Sequence, residues 1–379
     1  MTSSLSSRQA RRTFAFGLSC GVLALAACQT RAPYRPLPGD VVAQPAGTKH
    51  AVALIVPLTG QDGPIGTSIS NAARLALLDT GDQSIDLKVY DSTQGGPAAV
   101  AARAIAEGNG LILGPLLAED VRAAAPVARR ARVPLIAFSN DESVAGEGVY
   151  ILGFTPGQSI GRVTLYARAR GAQRFGALVP GGIYGQRAAQ GLTAALQASS
   201  GTLVGIETFS RNAASARTAA NALNARGKLD AVLVADSSRL AAQAAVALKP
   251  GARLLGTDLW SNARAIGATP RLRGGWFAAA PDARFDQLVT RYRARYGKTP
   301  YRLGSLGYDA VLLTVRAARG WPARRPFPQR MLTEKEGFAG VDGIFRFGRS
   351  GVAERALEVR EVTATGTKVV SPAATAFAD

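Results

Sequence analysis

Residues 111–141 read LILGPLLAEDVRAAAPVARRARVPLIAFSND, and the order of signals within them decides the fold. Leu111, Ile112 and Leu113 form an apolar run short enough for a buried strand, and Gly114-Pro115 stops it. Glu119 and Asp120 follow, where the positive end of a helix favours acids. Val121, Ala124, Ala125 and Ala128 recur at helical spacing, and a second apolar run occupies 133–138. Strand, turn, helix and strand in this order make a βαβ unit with parallel strands. Its loops, 114–118 and 139–141, leave the carboxyl ends of the two strands on one edge, where open α/β sheets hold ligands.

Outward from this unit the same alternation continues in both directions. Apolar runs at 51–56 and 85–90 predict strands before it, with helices at 67–78 and 97–107, and a strand at 149–152 closes the group. A second series follows, with strands at 175–179, 203–209, 231–234, 253–255 and 276–280 and helices between them. Two series of one pattern predict an α/β chain of two doubly wound, Rossmann-like lobes. Helices at 285–296 and 303–319 and a β-hairpin, 343–347 with 356–363, complete these lobes rather than start a third. Crossings between the lobes are expected near 153–156, 279–282 and 337–340. Lobe 1 then comprises 49–153 and 282–338, lobe 2 comprises 154–281 and 339–365, and 366–379 is a tail.

The first residues differ from the rest. Arg8, Arg11 and Arg12 precede an apolar stretch at 14–25, and Leu25-Ala26-Ala27-Cys28 follows, the pattern of a secretory signal. The ending resembles a bacterial lipobox, which implies removal of 1–27 and acylation of Cys28. Gln29 after that cysteine resembles lipoproteins sent to the outer membrane, facing the periplasm. Residues 28–48, rich in proline and small side chains, predict a flexible tether. Loss of the signal lowers Lys+Arg from 45 to 42 against 26 acids, a formal +16 in place of +19. An exported chain so charged suits acidic envelope polymers or an acidic protein partner rather than nucleic acid. No other run is long and apolar enough to span a bilayer.

The chemistry open to the chain is narrow. Its one histidine, His50, lies at the end of the tether, and Cys20 and Cys28 leave no thiol in the folded part. A Ser-His-Asp triad and a histidine-centred acid–base pair are therefore excluded, and no metal or cofactor site is expected. Gly60-Gln-Asp-Gly63-Pro-Ile-Gly66 has the setting of a dinucleotide loop but the wrong spacing, which predicts a flexible loop at the cleft edge. Tyr292-Arg-Ala-Arg-Tyr296 interleaves aromatics with bases, but helical spacing turns both tyrosines to a core.

Several short motifs share an order. Val56-Pro-Leu-Thr-Gly60, Gly114-Pro115, Ala125-Pro-Val-Ala128, Val133-Pro-Leu-Ile136, Tyr184-Gly185, Gly256-Thr-Asp258 and Gly307-Tyr-Asp-Ala310 together resemble type I periplasmic binding proteins, whose best-known members bind leucine, isoleucine and valine. The resemblance spans about 50–365 and implies two lobes, three crossings and a ligand cleft that closes by hinge motion. It places Leu117 and Ala118 after the Gly-Pro turn, and Ser139, Asn140 and Asp141 after the next strand, at the ligand carboxylate. It places Tyr184 and Asp258 at the ligand amino group, and Gln61 and Trp260 complete the expected lining. Leu117 and Ala118 lack hydroxyls, and Asp141 would repel an anion. A second branch, lipoprotein activators of penicillin-binding proteins, is resembled by Gly114-Pro-Leu-Leu117 with its acids, by Phe138-Ser-Asn-Asp141 and by the lipobox. Its best-known members carry a helical-repeat domain ahead of this one, where only the tether stands here. The branch implies a non-enzymatic outer-membrane lipoprotein that activates a peptidoglycan synthase by contact. The alternative is a lipid-anchored solute-binding protein of an ABC importer for branched-chain amino acids or a related ligand.

Overall fold

The computed structural model describes residues 49–262 and 266–377; the signal, Cys28 and the tether lie outside the described residues. Lobe 1 opens with β1 (His50–Val56), α1 (Gly63–Thr80), β2 (Ile85–Asp91), α2 (Pro97–Ala106), β3 (Leu111–Leu113), α3 (Ala118–Ala131), β4 (Leu135–Ala137) and β5 (Val149–Ile151). Its sheet is all parallel in the order β2-β1-β3-β4-β5. β3, β4 and nearly all of β1 are buried, so these strands read as continuous apolar runs. Gly114 ends β3 at φ +97°, and a Cβ there would stand 2.1 Å from the Ile55 carbonyl oxygen. Only glycine lets the turn pass so close to β1.

The chain enters lobe 2 across residues 152–155. There α4 (Pro156–Ala169), β6 (Arg174–Pro180), α5 (Ile183–Ala198), β7 (Thr202–Phe209), α6 (Ala213–Ala225), β8 (Ala231–Val234), α7 (Ser238–Ala245), β9 (Arg253–Gly256) and β10 (Trp276–Ala279) follow in turn. It returns across 280–282 to lobe 1 as α8 (Ala283–Tyr296) and α9 (Gly304–Ala318), which pack on α1. Tyr292 is buried in that core, and Tyr296 donates to the Asn71 carbonyl at 3.0 Å. β11 (Phe338–Gly340), β12 (Gly343–Phe347) and β13 (Ala353–Arg355) form a small antiparallel sheet, followed by β14 (Glu358–Thr363) and β15 (Gly366–Ser371). The lobe 2 sheet runs β15-β14-β10-β9-β8-β6-β7, with β14 and β15 antiparallel to their neighbours. Each lobe has an apolar core on both faces of its sheet.

Five sequence expectations are corrected. The third crossing lies at 356–357, not 337–340, because Phe338, Phe345, Phe347 and Ala353 belong to the lobe 1 core. Lobe 2 therefore does not begin at 339. The expected hairpin partner of β12 divides: β13 stays beside β12, while β14 pairs with β10 of the other lobe. Residues 366–371 are not tail but β15, held along β14. α1 starts at Gly63 rather than 67, since Pro64 fits the first turn of a helix. His50 also leaves its expected place. It opens β1, 6% exposed, and stacks on Trp321 with ring centres 4.3 Å apart. Burial lowers its pKa.

Candidate functional site

The carboxyl ends of the strands in both lobes meet at a cleft of about 350 Å³. Its two walls differ in chemistry. Ile65, Leu116, Leu117, Phe138 and Leu303 make the lobe 1 wall largely apolar, with Asp62, Asn140 and Arg302 beside them. Leu117 is the residue from which α3 starts, and its side chain provides no cap for the helix N–H groups. A helix N-terminus is an anion site when its N–H groups are open to the ligand. Here leucines occupy the approach.

The lobe 2 wall mixes apolar residues, Phe154, Leu259 and Leu357 among them, with a larger set of polar groups than lobe 1 supplies. Thr155, Gln158 and Ser159 come from the start of α4, Tyr184 from α5, and Asp258 and Ser261 from the turn after β9. Ser159 Oγ donates to Asp258 Oδ1 at 3.1 Å, and Tyr184 Oη to Thr257 Oγ1 at 3.3 Å. Burial pushes the Asp258 carboxyl up to about 6, against the opposing pull of the Ser159 hydroxyl and the Arg302 charge. Burial, with Asp258 nearby, also raises the Tyr184 phenol, which stays a neutral donor. Thr155 Oγ1 is buried at the cap of α4, facing the Gln158 N–H, and its hydroxyl donates to no group among the described residues. The gap between Thr155, Ser159 and Asp258 suits a small polar or cationic group.

Of the nine expected cleft residues, Leu117, Asn140, Tyr184 and Asp258 line this cavity; Gln61, Ala118, Ser139, Asp141 and Trp260 do not. Gln61 is exposed, and the next residue, Asp62, faces the cleft instead. Ala118 is the first residue of α3, and Leu116, two residues earlier, takes the lining position. Ser139 is buried and its hydroxyl accepts the Asp141 N–H at 3.1 Å. Trp260 is fully buried in the lobe 2 core and donates to the Asp236 carbonyl at 3.1 Å. Asp141 departs most from expectation. Its carboxylate meets Arg122 at 2.6 Å and, across the lobes, Arg187 of α5 at 3.2 Å, and it accepts the Ser143 N–H at 3.0 Å. Although burial acts against it, the Ser143 hydrogen bonds and both arginines hold its pKa below the usual carboxylate range. It is a neutralised clamp residue, so the repulsion expected from it does not act in the cleft.

Sequence reasoning missed Thr155, Ser159 and Arg302. Thr155-Pro156 carried a signal, a polar residue before proline at a helix start. Arg302 gave none, because its place depends on Asp282 and Asp342 at 2.8 and 2.6 Å, both distant in sequence.

A family model described as periplasmic binding protein matches residues 50–367. The chain belongs to that family. Solved structures share the fold at low identity. A periplasmic ligand-binding protein of a branched-chain amino acid ABC transporter from Burkholderia xenovorans is 15% identical, with TM-score 0.69, over 86% of this chain and 96% of that one. The leucine-binding protein LivK of Thermotoga maritima is 20% identical, with TM-score 0.62, over 85% and 98%. The C-domain of LpoA from Haemophilus influenzae, described as a regulator of PBP1A, is 18% identical, with TM-score 0.67, over 84% and 99%. Against full-length LpoA the match covers 86% of this chain and 59% of that one. No curated protein matches the chain in sequence.

Proposed function

We propose that the chain is a non-enzymatic module of the bacterial envelope, an outer-membrane lipoprotein anchored through Cys28, that activates a peptidoglycan synthase by protein contact. The observation that carries this is the lobe 1 wall. Where a carrier of amino acids needs donors for a carboxylate, Leu116 and Leu117 stand at the start of α3. The Asp141–Arg187 pair also joins the lobes directly, at 3.2 Å. A module held in this state acts by shifting its partner's population toward the active form. The fold shared with the LpoA C-domain supports the same reading.

A second reading rests on a different observation. The unused Thr155 O–H donor beside Ser159 and Asp258 favours a small ligand, delivered by a lipid-anchored solute-binding protein to an ABC importer. One experiment separates the two. Residues 48–379 are assayed for stimulation of envelope synthases and, by thermal shift, for free amino acids and peptidoglycan fragments. Synthase stimulation by ligand-free protein is the expected result. Saturable stabilisation by an amino acid, abolished in Tyr184→Ala and Asp258→Ala, would replace the activator by the carrier. For the anchor, Cys28→Ser is expected to release the protein from membranes, and continued attachment would refute that assignment.

A further inference from the structure

At the end of lobe 2 away from the cleft there is a second concavity, of about 440 Å³. It lies at the amino ends of β9 and β10, whereas the cleft takes residues beyond their carboxyl ends. Arg170, Arg253, Arg271 and Arg273 line it against a single acid, Asp230. Like several other arginines of the chain, Arg217 and Arg239 among them, none of the four has an ion-pair partner among the described residues; what distinguishes them is that all four line one concavity. The acids nearby are already engaged. Asp230 accepts the backbone N–H groups of Gln173 and Arg174 at 2.9 and 2.8 Å. Glu361 accepts from Trp276 Nε1 at 3.0 Å and pairs with Lys368 at 2.9 Å.

The guanidinium groups are held by contacts that leave their charge uncancelled. Arg253 lies 4.3 Å over the Trp276 ring and donates to the Gly274 carbonyl. At Gly274, φ +78°, a Cβ would come within 3.0 Å of Arg253 Nη1, so glycine there seats the guanidinium. Arg271 donates to the Val246 and Leu248 carbonyls at 3.3 and 3.4 Å, and Arg273 to the Gly267 carbonyl at 3.0 Å. Leu272, 1% exposed, anchors the segment between them. Arg170 lies 4.8 Å over the Tyr166 ring. A guanidinium has five N–H donors, and these contacts use at most two.

We infer that this pocket binds a phosphate-bearing anion, either free or as the headgroup of a lipid. A lone carboxylate engages one guanidinium fork; a phosphate, with more acceptor oxygens and up to twice the charge, can engage several. The site is separate from the cleft and holds under either reading of the cleft's role. The test uses the full chain, titrated calorimetrically with inorganic pyrophosphate and floated with phosphatidylcholine vesicles with or without phosphatidylglycerol. Saturable, salt-sensitive pyrophosphate binding is expected, weakened roughly tenfold or more in Arg253→Gln/Arg271→Gln and measurably in Arg170→Gln alone. Arg217→Gln/Arg239→Gln removes the same charge outside the pocket and should bind as the unaltered chain does. Flotation with phosphatidylglycerol that pyrophosphate competes away and the double variant lacks assigns a lipid headgroup; pyrophosphate binding without flotation assigns a free anion. Absence of both, or equal weakening in the control pair, would overturn the site.

Discussion

At Asp258 burial raises the carboxyl to about 6 from an ordinary 3.8, so it ionises at higher pH in the folded chain than in the unfolded one. Below the unfolded value the group is neutral in both states and costs nothing. As pH rises toward and through the folded value, the unfolded chain has already released its proton, and stability is lost. Asp258→Asn removes that penalty and keeps an acceptor for the Ser159 hydroxyl. It should stabilise the protein by about 3 kcal/mol near pH 7.5 and by almost nothing near pH 3, read from urea midpoints at the two pH values. A gain of equal size at both would mean that the carboxyl does not titrate as described. Asp309 is likewise raised, by burial and the neighbouring Asp342 charge, but its oxygens have a structural role. Fully buried on α9, it accepts the N–H groups of Val341 and Asp342 at 2.6 and 3.4 Å, fixing the turn between β11 and β12. Asp309→Ala leaves these donors buried and unpaired, and denaturation should show a loss of about 2–4 kcal/mol.

At the scale of elements, local pattern and distant pairing contributed differently. The alternation of strand and helix was legible because buried parallel strands are short apolar runs and the helices between them show a 3.6-residue stripe. Leu117 and Asn140 were legible as lining residues because they follow strand ends, whereas Tyr184 and Asp258 were legible only through the resemblance to binding proteins. Asp141 follows one too, but its direction is set by Arg187 on the other lobe. β13, β14 and β15 show the same limit: all alternate in sequence, and only the pairing of Glu358–Glu361 with Trp276–Ala279 carries β14 to lobe 2. β15 gives this a measurable consequence. Its Ser371 hydroxyl accepts from Arg162 Nη2 at 2.6 Å, and Val370 packs against the lobe 2 core. A chain ending at residue 365, harmless if 366–379 were tail, should lose about 1–3 kcal/mol and self-associate through the bared edge of β14, as light scattering would show. An unchanged melting midpoint would return these residues to the status of a tail.

For the whole molecule, the crossings and the clamp together set how far the cleft can open. Near the crossings, Asp282 binds Arg302 of lobe 1 at 2.8 Å and also binds Arg360 of β14, which meets Glu358 at 2.7 Å. This network fixes the hinge side. Away from it, Asp141 and Arg187 form a charge pair that ties the lobes directly, as does the hydrogen bond from Gln158 Nε2 of α4 to the Ala353 carbonyl of β13. Asp141 is 5% exposed, so its pairing is screened little by solvent, while Arg187 and Arg122 reach it from partly open positions. Asp141→Asn keeps the acceptor for Ser143 but removes the charge, and Arg187→Gln removes the other half. Arg187→Gln should cost about 1 kcal/mol and Asp141→Asn about 2, since it also loses Arg122, with a double variant close to Asp141→Asn alone. Each should also enlarge the radius of gyration in small-angle scattering, as a hinge released on one side opens. The depressed pKa of Asp141 makes its contribution complete above the ordinary carboxylate range and lost as pH falls through the lower folded value. Scattering should therefore be constant from neutral pH into mild acid and report opening only in stronger acid. A variant whose scattering matches that of the unaltered chain would mean that the hinge network alone holds the lobes together.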